Sequence, residues 1–158
     1  MDQEALVAQL NDLLNLEFGG LLGRLDQLHP FVEWADAVAI PVFRRIVADE
    51  GLARRRLTEA IEAEGGVPRP PRPDLSSARV HYLDVRYLLP LLIDEQRRRV
   101  AAYEAVAGRI PSDRPSAPIV SALLAQHRAH LEQLETLAQR LGPAAPEPVG
   151  APAQDHDA

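Results

Sequence analysis

Apolar residues recur at intervals of three and four along four segments of this chain, and turn-forming residues cluster between those segments. This spacing gives an α-helix an apolar face, whereas the alternation typical of half-buried strands is scarce. The sequence therefore predicts an all-α protein. The predicted helices run from about Glu4 to Leu28, from Pro41 to Glu64, from Ser76 or Ser77 to Ala107, and from Ser116 to Leu141.

Proline and glycine mark the ends of these segments. Pro41 suits a first helical turn because its missing N–H has no partner there, and Gly65-Gly66 stops the same helix. The proline-rich run 65–74 then forms a stiff connector. Pro90 lies inside the third predicted helix, where it should produce a kink.

With 158 residues, of which 46% are hydrophobic and 25% charged, the chain has enough apolar material for one compact core. Four helices of this length around one core predict a four-helix bundle over residues 1–141. The remaining residues, 142–158, are rich in proline and have too little apolar content to fold, so a disordered tail is expected there.

Composition excludes several classes of protein. The net charge is −6, which gives no basic patch for nucleic acid. The absence of cysteine excludes disulfides, thiolate metal sites and cysteine nucleophiles. The N-terminal segment is acidic where a signal peptide would be basic, and no apolar run approaches the ~18 residues of a membrane span. A cytoplasmic protein with no membrane partner is therefore expected.

Ionisable residues stand in the middle of the apolar stripe of every predicted helix. Steps of three, four and seven residues from each of them lead to leucine, isoleucine, valine and alanine. A lone buried carboxylate costs several kcal/mol unless it is paired, protonated or bound to a cation, so a shared site is expected. The residues predicted to meet there are Glu17, Glu50, Glu95, His127 and His130.

The segments LNDLLNLEFGGLLGRL, DEGLARRRLTEAIEAEGGVP, LLPLLIDEQRRRVAAYEAV and LLAQHRAHLEQLETL carry a family resemblance. Over residues 4–141 the chain resembles the ferritin-like superfamily, especially its bacterioferritin branch. The resemblance implies an antiparallel four-helix bundle with a long crossover between helices two and three. It also implies a site for two iron or manganese ions, with one Glu and one Glu-x-x-His from each half, and ferroxidase activity.

Glu17, Glu50, Glu95 and His130 match ligands of that family, but two positions depart from it. Ala53 stands where the first Glu-x-x-His has its His, and His127 stands where the second has its Glu. Imidazole cannot bridge two ions as a carboxylate does. We therefore expect one transition-metal ion, iron, manganese or zinc, with Glu17 nearly alone on the other side, and weak iron-oxidation or peroxide chemistry at most.

Haem is not expected. The resemblance implies a haem-binding methionine beside the Glu of the second helix, and here Gly51 follows Glu50. The only methionine in the chain is Met1.

Arginine offers an alternative to metal. Arg54, Arg98, Arg99 and Arg24 are spaced so that each can reach back toward one of the core acids. A guanidinium that enters the core would hold the carboxylates in an ion-pair network. The chain would then be a metal-free bundle that acts as a structural or protein-interaction module.

A homodimer is also expected, because the outer faces of the first two helices carry apolar residues. These residues are Phe18, Leu22, Val32 and Trp34.

Overall fold

The computed structural model describes residues 2–25, 37–69, 71 and 85–143, and within these ranges the protein is helical with no strand. The helices are α1 (Gln3–Phe18), α2 (Leu21–Leu25), α3 (Ala39–Ala63), α4 (Val85–Ala107) and α5 (Ser116–Leu141). The prediction of an all-α protein is confirmed. Among the described helices, none combines the length and the apolar character needed to cross a lipid bilayer.

The observed helix bounds agree best with the predicted ones where the sequence signals are local. α5 begins and ends at the predicted residues, and α3 begins two residues before Pro41. The prediction of one helix from Glu4 to Leu28 is wrong, because α1 ends at Phe18 and α2 begins after Gly19-Gly20. The predicted start of the third helix, the predicted end of the first helix and the predicted tail from Ala144 onward lie outside the described residues.

Two apolar clusters form the core, and each contains residues from most of the helices. The first cluster contains the N-terminal parts of α1 and α5 and the C-terminal parts of α3 and α4. Its central residues are Leu10, Leu57, Tyr103 and Leu123. The second joins α2 to the N-terminal parts of α3 and α4 and the C-terminal part of α5, around Ile46, Leu88 and Leu134. A layer of buried polar residues lies between these two clusters along the helices.

The segment after α3 is tied to α1 and to α5. Gly65 has φ +73°, a conformation that favours glycine, and the next residue passes so close to Val7 that a Cβ at Gly66 would lie 2.5 Å from it. The buried carboxylate of Glu64 accepts hydrogen bonds from the backbone N–H and the hydroxyl of Ser116 at 3.1 and 2.7 Å. Glu64 thus caps the N-terminus of α5 from a distant part of the chain.

Candidate metal centre

Four of the five residues predicted to form a metal site are buried in the polar layer. Glu17, Glu50, His127 and His130 are each at most 2% exposed. Glu95 is at the edge of the layer, with 25% of its side chain exposed. Their helical spacing thus correctly placed these side chains on the core-facing sides, but their partners differ from those of a metal site.

Arg99 lies between Glu50 and Glu95. Its Nη1 donates to Glu50 Oε1 at 2.5 Å, and its Nη2 donates to Glu95 Oε1 at 3.2 Å. The Arg99 side chain is 3% exposed, and a longer contact of 3.5 Å joins Nη2 to the carbonyl oxygen of Leu16. One buried cation therefore joins two of the predicted ligands.

The protonation of this group follows from burial and charge together. Burial alone would lower the pKa of Arg99, but the negative charges of Glu17, Glu50 and Glu95 raise it above its usual value. Burial raises the pKa of Glu50, and Arg99 offsets this only in part. The guanidinium thus stays charged, and its charge and hydrogen bond favour the ionised form of Glu50.

The interruption between α1 and α2 contributes a backbone donor to the same group. The N–H of Leu21 donates to both carboxylate oxygens of Glu95, at 3.1 and 3.2 Å. This N–H is available because the chain leaves helical geometry at Gly19 and Gly20, so Leu21 starts a new helix. The helix break therefore positions Glu95 as well as ending α1.

Glu17 makes its side-chain contacts with Tyr103 and His127. The hydroxyl of Tyr103 donates to Glu17 Oε1 at 2.8 Å, and Nε2 of His127 lies 3.0 Å from the same oxygen. The His127 contact is close, but its angle is poor for a hydrogen bond, so we regard it as mainly electrostatic. Burial raises the pKa of Glu17, but His127, Arg99 and Tyr103 together bring it below its usual value.

Gln96 sets the orientation of His127. With the Gln96 amide as placed, its nitrogen donates to Nδ1 of His127 and to the His127 carbonyl, each at 3.0 Å. Because Nδ1 accepts, the neutral ring carries its proton on Nε2, which faces Glu17. This protonated nitrogen is not a free metal ligand.

His130 points to a partner that sequence reasoning missed. Its Nε2 lies 2.9 Å from Oδ2 of Asp49, the residue before Glu50, and its Nδ1 is buried without a hydrogen-bond partner. Burial lowers the pKa of His130, and the neighbouring Asp49 offsets this only in part. His127 and His130 meet edge to face, with ring centroids 5.9 Å apart.

These contacts divide the predicted ligands into three groups: Glu50 and Glu95 with Arg99, Glu17 with Tyr103 and His127, and His130 with Asp49. Within the described part of the chain, no three histidine, aspartate or glutamate side chains are placed to hold one metal ion. As arranged, the residues do not fit a metal site, and a guanidinium lies between two of them.

Among the three candidate arginines whose side chains the structure describes, Arg99 is the one found in the core. Arg98 is exposed, the Arg24 side chain lies outside the described residues, and Arg54 donates to the backbone oxygen of Glu17 and stacks over Phe18. A signal for Arg99 is present in the sequence, because Arg99 lies seven positions after Leu92 and four before Tyr103 and so falls on the buried stripe.

Comparisons of this chain with protein-family models, with curated proteins and with solved structures return no match.

Proposed function

We propose that this protein is a cytoplasmic, ferritin-like four-helix bundle whose core is held by an arginine in place of a metal ion, and that it works through its surface as a protein-interaction module. The observation that carries the proposal is the buried guanidinium of Arg99 between Glu50 and Glu95. A guanidinium supplies the positive charge and the hydrogen-bond donors that carboxylates in a dry core need.

The distribution of the core clusters supports the ferritin-like topology. The start of α1 shares a cluster with the end of α3, and the end of α4 shares it with the start of α5. The other cluster shows the same reciprocal arrangement. Antiparallel α1–α3 and α4–α5 pairs, joined by a long crossover from α3 to α4, account for both clusters.

The outer side of α1 offers material for a homodimer. Phe18 is 44% exposed and Leu16 is 40% exposed, and the guanidinium of Arg54 lies 5.5 Å from the centroid of the Phe18 ring. Leu22 does not contribute, because it is buried at 5% exposure. Val32 and Trp34, the other residues expected on this face, lie outside the described residues.

The test of a metal-free core is elemental analysis of protein purified without metal-affinity resin, followed by thermal melts with and without a chelator. We expect less than about 0.1 equivalent of metal per chain and an unchanged Tm, because no bound ion contributes to folding. A stoichiometric ion whose removal lowers the Tm would contradict the proposal.

The dimer is tested by light scattering after size-exclusion chromatography. Phe18→Ser should convert a dimer to a monomer, whereas Val67→Ser, at a more exposed apolar residue (78% exposed), should leave the mass unchanged. A wild-type monomer at all concentrations would remove the dimer from the proposal.

A second candidate is the binding of one iron, manganese or zinc ion. It is favoured by Glu17 Oε2, Glu50 Oε2 and His130 Nδ1, which are buried without hydrogen-bond partners. Buried acceptors of this kind are seldom left unsatisfied. To bind an ion, the side chains would have to rearrange around Arg99, and the same elemental analysis distinguishes the two candidates.

A further inference from the structure

The backbone of the break between α1 and α2 lies directly against the Arg99 guanidinium. Gly20 is buried against the ion pair, and a Cβ there would lie 3.0 Å from Nη2 of Arg99 and 3.1 Å from Oε2 of Glu50. Leu16 and Leu21 on either side supply a carbonyl oxygen and an N–H to Arg99 and Glu95. The helix break thus accommodates a guanidinium at this place.

The acids of the polar layer outnumber the cation. Arg99 contacts Glu50 and Glu95 directly and is under the electrostatic influence of Glu17. Glu50 Oε2 is buried without a partner and faces the same point beside Gly20 as the guanidinium does. Without Arg99, the carboxylates would lose their only described cation and would repel one another.

We propose that Arg99 is a built-in cation that keeps a metal site closed, and that its removal opens a site for one divalent transition-metal ion. The ligands come from Glu17, Glu50 and Glu95, the acids around Arg99, and such a carboxylate set can hold manganese, iron(II), cobalt or zinc. The inference rests on the proposed metal-free core and adds to it which residue excludes the ion.

The experiment compares cobalt(II) binding by the wild type, Arg99→Met and Arg98→Met, followed by visible absorption and by elemental analysis after dialysis. Methionine keeps an aliphatic chain at the position but carries no charge. Arg98 is the exposed neighbour, so its replacement controls for the loss of an arginine. Arg99→Lys retains a buried cation and serves as a second control.

We expect Arg99→Met to bind about one equivalent of cobalt(II), at least ~10-fold more tightly than the wild type, and to gain Tm on adding it. The two controls should behave as the wild type does. Adding Glu50→Gln to Arg99→Met should abolish the gain. Binding by Arg99→Met no tighter than by Arg98→Met would overturn the inference.

We expect Arg99→Met to be destabilised, so folding is monitored by circular dichroism with and without metal. A chain that is unfolded alone and folds with cobalt, zinc or manganese supports the inference, and one that remains unfolded with each of them overturns it. Stoichiometric metal in the wild type would instead refute the proposed metal-free core. The two failures are therefore distinguishable.

Discussion

Replacing Arg99 by methionine should be among the most destabilising single substitutions in this protein. Arg99 is 3% exposed, and its nitrogen lies 2.5 Å from a carboxylate oxygen of Glu50, which is 2% exposed. At an effective dielectric constant of about 20, opposite unit charges about 4 Å apart attract by about 4 kcal/mol. Loss of one partner of a buried pair costs about 3–5 kcal/mol, because the remaining charge is uncompensated.

The assay is urea denaturation with a chelator present, so that metal binding cannot mask the loss. In parallel thermal melts, a destabilisation of this size should lower the Tm by about 6–20 °C in a domain of this length. Glu50→Met combined with Arg99→Met should recover part of the loss, because apolar pairs of similar volume often replace buried ion pairs at little cost.

Two results would refute this reasoning. The first is a cost below about 1 kcal/mol for Arg99→Met, which is the range of exposed pairs. The second is strict additivity of the two substitutions, which would show that the charges are not coupled. Arg97→Met, at an exposed arginine that pairs with Glu135 on α5, is the matched control and should cost less than about 1 kcal/mol.

Three further predictions concern the surroundings of the polar layer. Glu64→Ala should lower the free energy of unfolding by about 1–3 kcal/mol in urea titrations, because the buried N–H and hydroxyl of Ser116 lose their acceptor; an unchanged midpoint would show that Glu64 does not cap α5. Gly20→Ala should cost about 1–3 kcal/mol, because its Cβ would meet the ion pair at 3.0–3.2 Å, and a stabilised variant would contradict this close approach. Stability should fall as the pH drops below 6.5, because the pKa of His130 is lowered in the folded chain and the unfolded chain takes up this proton more readily. The variant His130→Gln should reduce this pH dependence in urea midpoints measured from pH 7 to pH 5. An unchanged slope would exclude His130 as its source.

The helices could be predicted where local signals were strong. The apolar spacing of Ser116–Leu141 and the glycine pair after α3 placed α5 and the end of α3 within a residue. The first helix was predicted as continuous because its leucines keep helical spacing across Gly19-Gly20. Glycine is tolerated within helices, so the sequence does not show that the chain breaks there, where the N–H of Leu21 bonds to Glu95 of α4. The crossover geometry and the tail stay predictions.

The sequence by itself determined that Glu17, Glu50, His127 and His130 are buried, because a 3.6-residue period sets the side of a helix on which a residue lies. Periodicity does not say which buried groups touch. Arg99 reaches Glu50 across 49 residues of chain, and His130 reaches Asp49 across 81. Those partners depend on how the helices pack and on the rotamers of long side chains, so only the tertiary structure decided that a guanidinium joins the acids of this core.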